Sequence, residues 1–381
     1  MERSLLAIGL ISGTSADGID AVVVRTDGVG TPELLAAQEN PYPPEVRQEV
    51  LALYQPGPNE IDRMGRMDNR LGELFAKAAL TVCQKAGLSP DQVDVIGSHG
   101  QTIRHRPPDF TLQIADPAII AARTGIQTVA DFRRADMARG GEGAPLVPLF
   151  HRAIFQAESE DLAILNLGGI ANLTWLSQEA TSLVAGDTGP ANTLMDHLVC
   201  RIQGEEGSCH LYDDQGAGAA EGVVDQQALS WLLTHPYLAR PFPKSTGREV
   251  FGDDYLDRFL SRFPHLINQD GLATLTRFTA ETIAAACRTL ASQTPYRLVV
   301  CGGGGKNRTL LQMIEEILPA VSVVSSHALG IDSDSLESQC FAWMAVRTLK
   351  GLPSSDPGAT GASQEAILGG VHPVLPNGEL D

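Results

Sequence analysis

Apolar residues come in short runs along this chain, and most of the runs end on a glycine turn. Residues 5–10 and 19–24 are two such runs, and residues 9–20 (GLISGTSADGID) hold the turn between them. That pattern predicts two strands joined by a hairpin, not a strand feeding a helix. The period then changes. Residues 42–52, with Pro43 and Pro44 at their start, begin a helix, and over residues 61–85 Met64, Met67, Leu71, Leu74, Phe75, Ala78 and Val82 recur at spacings of three and four. One face of this long helix is therefore expected to be buried, and Gly87 ends it. Residues 93–96 read as a short buried strand running into Gly97-Ser98-His99-Gly100-Gln101-Thr102, and the runs 111–114 and 127–130 likewise end on Asp116 and Asp131. Residues 146–155 predict a linking helix close to a domain boundary.

Past that helix the opening is echoed. Residues 162–167, the turn Gly168-Gly169-Ile170-Ala171-Asn172 and residues 173–176 repeat strand, glycine turn and strand, which suggests two domains of one topology. Residues 182–185 lead to Asp187, and a helix follows over 193–202. A strand at 298–301 runs into Gly302-Gly303-Gly304-Gly305-Lys306-Asn307 and a helix at 308–318. Further helices are expected at 226–233, 272–290 and 335–349, with a flexible Gly/Ala-rich connection at 213–222. From Pro353 onward Pro, Gly, Ser and Asp dominate, as in a tail returning to the first domain. The expected domains are 1–150, 151–352 and the tail 353–381.

The turns carry the candidate chemistry. Gly13 and Gly18 leave backbone N–H groups to face an anion, Thr14 and Ser15 add hydroxyls, and Asp17 and Asp20 add carboxylates suited to Mg²⁺. A P-loop is excluded, because Ile19 and Asp20 stand where Lys and Ser/Thr are needed and no helix follows; a plain glycine hairpin is the alternative. Four glycines in a row at 302–305 let a flat ligand approach the backbone. Asp187, at a strand end beside a glycine turn, suits a general base, against an alternative role in capping or turn formation. His99, taken alone, reads first as a structural histidine and only second as a site residue. Arg133 and Arg134 suit a carboxylate ligand or, equally, surface ion pairs.

Composition narrows the classes. The 381 residues are 43% hydrophobic and 19% charged, which is globular and large enough for two domains. A net charge of −18 argues against nucleic acid and anionic membrane as partners. The six cysteines form no C-x-x-C pair, which indicates neither a zinc site nor a disulfide framework and suggests a reducing, cytoplasmic setting. No apolar stretch nears the roughly 20 residues of a membrane span, and no cleavable leader is apparent.

Taken together, residues 9–20, 98–105 (SHGQTIRH), 111–116 (TLQIAD), 131–136 (DFRRAD), 140–148 (GGEGAPLVP), 166–172 (NLGGIAN), 186–192 (GDTGPAN) and 301–307 (CGGGGKN) resemble the anhydro-N-acetylmuramic acid kinase family of the actin, Hsp70 and sugar-kinase superfamily. The resemblance spans nearly the whole chain. It implies an α/β fold of two duplicated ribonuclease-H-like domains around a nucleotide cleft. It also implies an enzyme that uses ATP, Mg²⁺ and water to open the 1,6-anhydro ring of its sugar and phosphorylate O6, giving N-acetylmuramic acid 6-phosphate and ADP in peptidoglycan recycling. By the same resemblance Asp187 is the base. Gly13, Thr14, Ser15, Ala16, Asp17, Gly18, Ile19 and Asp20 form the ATP phosphate loop, with Asp17 as the metal carboxylate. Gly168, Gly169, Asn172, Gly302, Gly303, Gly304, Gly305 and Asn307 complete the nucleotide site, and Glu337 and His99 stand near the sugar. Arg133 as the partner of the sugar's lactyl carboxylate is read from its charge. A homodimer is implied by the resemblance alone. Two residues depart from the family pattern: Ala115 stands where glycine is expected, and Gly186 precedes Asp187 where a bulky apolar residue would hold the base more firmly. A kinase of another amino sugar is the nearer alternative. A nucleotide-switched chaperone or filament protein is the more distant one, disfavoured by the acidic surface and the lack of a second substrate-binding domain.

Overall fold

The computed structural model describes residues 3–155, 160–178, 183–204, 211–290 and 296–374. Their strands are β1 (Leu5–Ser12), β2 (Gly18–Thr26), β3 (Glu33–Pro41), β4 (Val95–Arg106), β5 (Phe110–Ile114), β6 (Thr128–Ala130), β7 (Asp161–Leu167), β8 (Ile170–Leu176), β9 (Val184–Pro190), β10 (Tyr296–Cys301), β11 (Ser322–Ser325) and β12 (Gly370–His372). The chain divides into two compact units, Met1–Gln156 with Ser335–Asp381, and Ala157–Asp334.

In the first unit the sheet order is β12-β6-β4-β1-β2-β3, with β5 paired to β4. In the second it is β11-β10-β7-β8-β9. Each sheet starts as an antiparallel meander of three strands, β1-β2-β3 or β7-β8-β9, and is then extended on its first strand by two parallel ones. Parallel neighbours need crossover connections, and helices supply them: Glu60–Lys85 lies between β3 and β4, and Gln269–Leu290 lies between β9 and β10. The two units thus share one topology, as the echoing glycine hairpins suggested, and the fold is the duplicated ribonuclease-H-like arrangement that the family resemblance implied.

One core of the first unit lies between the strands and the helices Pro44–Leu53 and Glu60–Lys85, with Leu71, Phe75 and Val82 fully buried. Helix Leu336–Leu349 runs across β1, β2 and β4. Its approach is close because Gly9 and Gly97 are register partners in β1 and β4: a Cβ on Gly9 would meet the Ser338 carbonyl oxygen at 1.8 Å and one on Gly97 the Phe341 carbonyl oxygen at 2.0 Å. Only glycines leave that surface flat. The division into units falls ahead of this helix, at residue 335, whereas sequence places it at 352; packing on β1 and β4, not chain order, sets the difference. In the second unit Gln269–Leu290 is buried on several faces and separates two apolar clusters.

Three local expectations need correction. The strand expected to end at residue 96 continues to Arg106, because β5 pairs with its polar second half and supplies the partners that hydrophobicity does not reveal. Residues 213–222 are not a flexible connection: the Asp213 carboxylate accepts the N–H groups of Gly218 and Ala219 and starts the helix Ala217–Glu221. Cys200 is disulfide-bonded, to a partner outside the described residues; a single link of this kind needs no framework of spaced cysteines. Ser182, at the expected start of the strand before Asp187, and residues 375–381 of the tail lie outside the described residues. Among the described residues no helix is long and apolar enough to cross a membrane.

Candidate active site

The first hairpin turn is held by its carbonyl groups. Gln101 Nε2 donates to the Gly13 oxygen at 3.0 Å, Tyr54 Oη to Thr14 at 3.1 Å, Arg47 Nη2 to Ser15 at 3.1 Å and the Tyr42 N–H to Asp17 at 2.9 Å. The carbonyls of the turn are thus taken up, and the amides of Thr14 and Ser15 remain. Both residues are exposed, and among the described residues neither amide has an acceptor. This is the polarity an anion site needs. Buried Ala16 adopts φ 53°, bending the turn, while its N–H closes on the Gly13 carbonyl at 3.1 Å. Gly18 has a different job from the one its place in the motif suggests: a Cβ there would lie 2.5 Å from the Asn40 oxygen, so it serves the β2–β3 pairing. Ile19 is core, and Asp20 is half-buried opposite Ile11. The Asp17 side chain is 64% exposed and ion-paired to Arg47 at 3.1 Å, so it is not poised as a metal ligand. Among the described residues no group of three His, Cys, Asp or Glu forms a metal cluster.

Within β4, at His99, and just past the end of β6, at Arg133, two of the sequence-predicted sugar residues come together. Arg133 Nε donates to His99 Nε2 at 3.0 Å, and its Nη1 donates to the Gly143 carbonyl at 2.8 Å. The His99 ring lies against Phe341, with ring centroids 4.6 Å apart. Burial first, and then the Arg133 charge, push the His99 imidazole well below its ordinary pKa. Glu337 and Arg133 both act on the buried Cys340 thiol, one raising and one lowering its pKa, which places these two charged groups in the same neighbourhood. Asp136 is fully buried and structural: it accepts the Gly143 N–H at 2.8 Å and the Thr360 hydroxyl at 2.7 Å. Asp116 caps the helix Pro117–Thr124. Before it, Ala115 has φ 119°, which explains why glycine is expected at that position.

In the second unit Asp187 lies in the middle of β9, not at a strand end as the sequence suggested, because the strand continues through Thr188-Gly189-Pro190. Its N–H donates to the Lys244 carbonyl at 2.8 Å, its carbonyl accepts the Tyr237 hydroxyl at 2.8 Å, and its Oδ2 accepts the Thr246 N–H at 2.8 Å. The departure at Gly186 thus does not loosen Asp187. The space of a larger side chain is taken by the 242–244 segment, since a Cβ on Gly186 would lie 2.7 Å from the Lys244 oxygen and 2.8 Å from the Phe242 ring. Lys244 is 5% exposed, with its ammonium 4.8 Å from the Tyr237 ring centroid and 5.1 Å from that of Phe242. Burial and Arg240 lower its pKa while Asp187 raises it. The hold of this Lys-Ser-Thr-Gly loop on Asp187 is a long-range contact with no local signal in the sequence.

The second glycine hairpin and the four-glycine turn meet. Gly168 and Gly169 carbonyls cap the helix Asn192–Ile202 through the N–H groups of Asn192 and Thr193, at 3.1 and 3.2 Å. A Cβ on Gly302 would lie 2.4 Å from Asn166 Oδ1, and one on Gly304 would lie 2.7 Å from the Leu167 Cβ, so these two glycines admit the hairpin. Gly303 has nothing within 4 Å of a Cβ and offers an open face. Gly305 faces Val300 in the turn. Asn307 caps the helix Arg308–Ile317, its Oδ1 accepting the Leu310 N–H at 2.9 Å, a structural duty that sequence had read as nucleotide contact. Asn172 pairs with Asp187 across β8 and β9.

Comparison with known proteins gives a consistent answer. The family model described as anhydro-N-acetylmuramic acid kinase matches residues 5–374. A curated protein of that description from Shewanella amazonensis (strain ATCC BAA-1098 / SB2B) is 44% identical over 98% of this chain and 100% of its own length. One from Shewanella halifaxensis (strain HAW-EB4) is 46% identical over 96% and 98%. Among solved structures, the Acidaminococcus fermentans (R)-2-hydroxyglutaryl-CoA dehydratase component A is matched with 11% identity over 91% of this chain and 99% of that one, at a TM-score of 0.46.

Proposed function

Because the chain belongs to the anhydro-N-acetylmuramic acid kinase family, we propose a division of labour among its residues that begins with Asp187 as the base. The activity is ATP-dependent phosphotransfer in cell-wall recycling: the 1,6-anhydro ring of 1,6-anhydro-N-acetylmuramic acid is opened by water and O6 is phosphorylated, giving N-acetylmuramic acid 6-phosphate and ADP. The observation that carries the assignment is the grip of the 237–246 segment on Asp187, which fixes the carboxylate within strand β9. Asp187 takes a proton from water as the water oxygen bonds to the anomeric carbon. The bond from that carbon to O6 breaks, and O6 attacks the γ-phosphorus, whose bond to the bridging oxygen of ADP breaks in turn. Holding both events in one bound geometry removes the entropy cost of a second encounter.

The exposed Thr14 and Ser15, whose amides have no acceptor among the described residues, support a role for the first hairpin in holding the ATP phosphates, and the open face at Gly303 supports a nucleotide contact there. Mg²⁺, when bound with the nucleotide, offsets charge on the β- and γ-phosphates. No preassembled carboxylate cluster among the described residues would hold it, and Asp17 would first have to leave Arg47, so phosphate oxygens are its main ligands in this reading. Arg133 binds the lactyl carboxylate of the sugar, with Glu337 in the same neighbourhood. A cytoplasmic homodimer belongs to the proposal on family grounds, and light scattering tests the dimer. The function itself is tested by incubating the protein with ATP, Mg²⁺ and the anhydro sugar. The product should have gained one water and one phosphoryl group, with one ADP formed per sugar. Phosphorylation only of sugars whose ring is already open would refute it.

A further inference from the structure

We propose that His99 is a positioning residue for Arg133, acting as a neutral hydrogen-bond acceptor that aims the guanidinium at the carboxylate of an anionic sugar. The proposal rests on the reading of Arg133 as the carboxylate-binding group.

A ring nitrogen that accepts from Arg133 carries no proton, so the single imidazole proton belongs on Nδ1, which lies 3.1 Å from the Gly100 carbonyl. That pair of contacts fixes the tautomer, and burial with the Phe341 ring fixes the plane. An imidazolium in this place would set two donors against each other and a second positive charge beside the first. A neutral imidazole orients the guanidinium without adding a negative charge of its own, as a carboxylate in the same place would. The second anchor is neutral too, since Nη1 is held by the Gly143 carbonyl. Gly143, at φ 69°, is in turn held by Asp136, whose other oxygen takes the Thr360 hydroxyl from the C-terminal segment. The chain of contacts Gly100–His99–Arg133–Gly143–Asp136–Thr360 is thus a rigid mount for one cationic side chain. Arg133 and His105 both disfavour the protonated form of His99; Glu337 lies one turn before Phe341 on helix Leu336–Leu349, near Cys340.

The test compares wild type, His99→Leu, His99→Gln and Arg133→Met on 1,6-anhydro-N-acetylmuramic acid, and measures binding of 1,6-anhydro-N-acetylglucosamine, which has the same ring without the carboxylate. His99→Leu should raise KM for the acid by roughly tenfold or more, with little change in kcat. It should leave binding of the neutral sugar unchanged, and His99→Gln, whose amide oxygen can still accept, should recover most of the loss. Equal losses on both sugars, or a Gln variant as poor as Leu, would overturn the proposal. Arg133→Met should abolish the preference for the acid; if it keeps that preference, the Arg133 reading fails independently of His99. Should His99→Leu not fold, ¹⁵N NMR of the wild-type ring decides: an unprotonated Nε2 at neutral pH supports the proposal, and an imidazolium or the opposite tautomer overturns it.

Discussion

Replacing Gly97 by alanine tests whether the contact between helix Leu336–Leu349 and the first sheet organises the sugar side of the site. The added Cβ would sit 2.0 Å from the Phe341 carbonyl oxygen and 2.9 Å from the Ala345 Cβ. Restoring an ordinary 3.4 Å contact means moving the helix backbone out by about 1.4 Å, since a carbonyl cannot rotate away as a side chain can. Phe341, Trp343 and Met344, all fully or nearly buried, would then lose close contact, and a gap of that width forfeits about half of the dispersion energy at each facing atom. Overpacking costs about 1–3 kcal/mol, and a backbone clash belongs at the upper end. For a unit of this size that is a fall in Tm of roughly 6–12 °C. The same displacement carries Glu337 and the ring that backs His99, so kcat/KM should fall by about 10²-fold at temperatures where the fold is intact. Calorimetry with steady-state kinetics measures both. Gly13→Ala is the control for stability, because its Cβ would find nothing nearer than the Ser15 hydroxyl at 3.8 Å. A Gly97→Ala protein with unchanged Tm and activity would refute the reasoning.

Asp196, with its pKa pushed by burial up to about 7, lies above its unfolded value of 3.8, so the stability it contributes is greatest below pH 4 and is lost as pH rises through 7. Asp196→Asn should therefore gain over wild type between pH 4 and pH 8, by at most about 4 kcal/mol, in urea unfolding; a gain that is the same at both ends would contradict this. Ala115→Gly relieves about 1–3 kcal/mol of strain at φ 119° but loses a buried methyl and adds chain entropy. The terms nearly cancel, so its Tm should stay close to that of the parent, whereas Ala78→Gly in the buried face of helix Glu60–Lys85 should cost about 1 kcal/mol or more. Gly303→Ala should raise KM for ATP without lowering Tm, while Gly304→Ala, which meets Leu167 at 2.7 Å, should lower Tm; the reverse order would remove Gly303 from the nucleotide face.

The hairpins and the helices with clear three-and-four spacing were legible because each rests on local chemistry: a turn needs glycine, and a half-buried helix needs a periodic stripe. The glycines themselves were only partly legible. Sequence treated those at 13–18 and 302–305 as ligand-facing, yet Gly18, Gly302 and Gly304 admit neighbouring backbone or side chains, and only coordinates separate access from packing. Asn307 and Asp17 have partners that the sequence did not signal: Asn307 caps a helix, and Asp17 pairs with an arginine thirty residues away. Gly186 looked like a weakness until the 242–244 segment was seen to fill its place. Such partners lie far off in sequence and leave no local pattern.

The most direct test of Asp187 as the base is turnover of 1,6-anhydro-N-acetylmuramic acid in ¹⁸O-labelled water, with mass spectrometry of the sugar from wild type and Asp187→Asn. Wild type should place one ¹⁸O at the anomeric carbon and a phosphate at O6, and the variant, folded to the same Tm, should lose both together. A variant that still opens the ring, or wild-type product without solvent oxygen, would contradict the assignment.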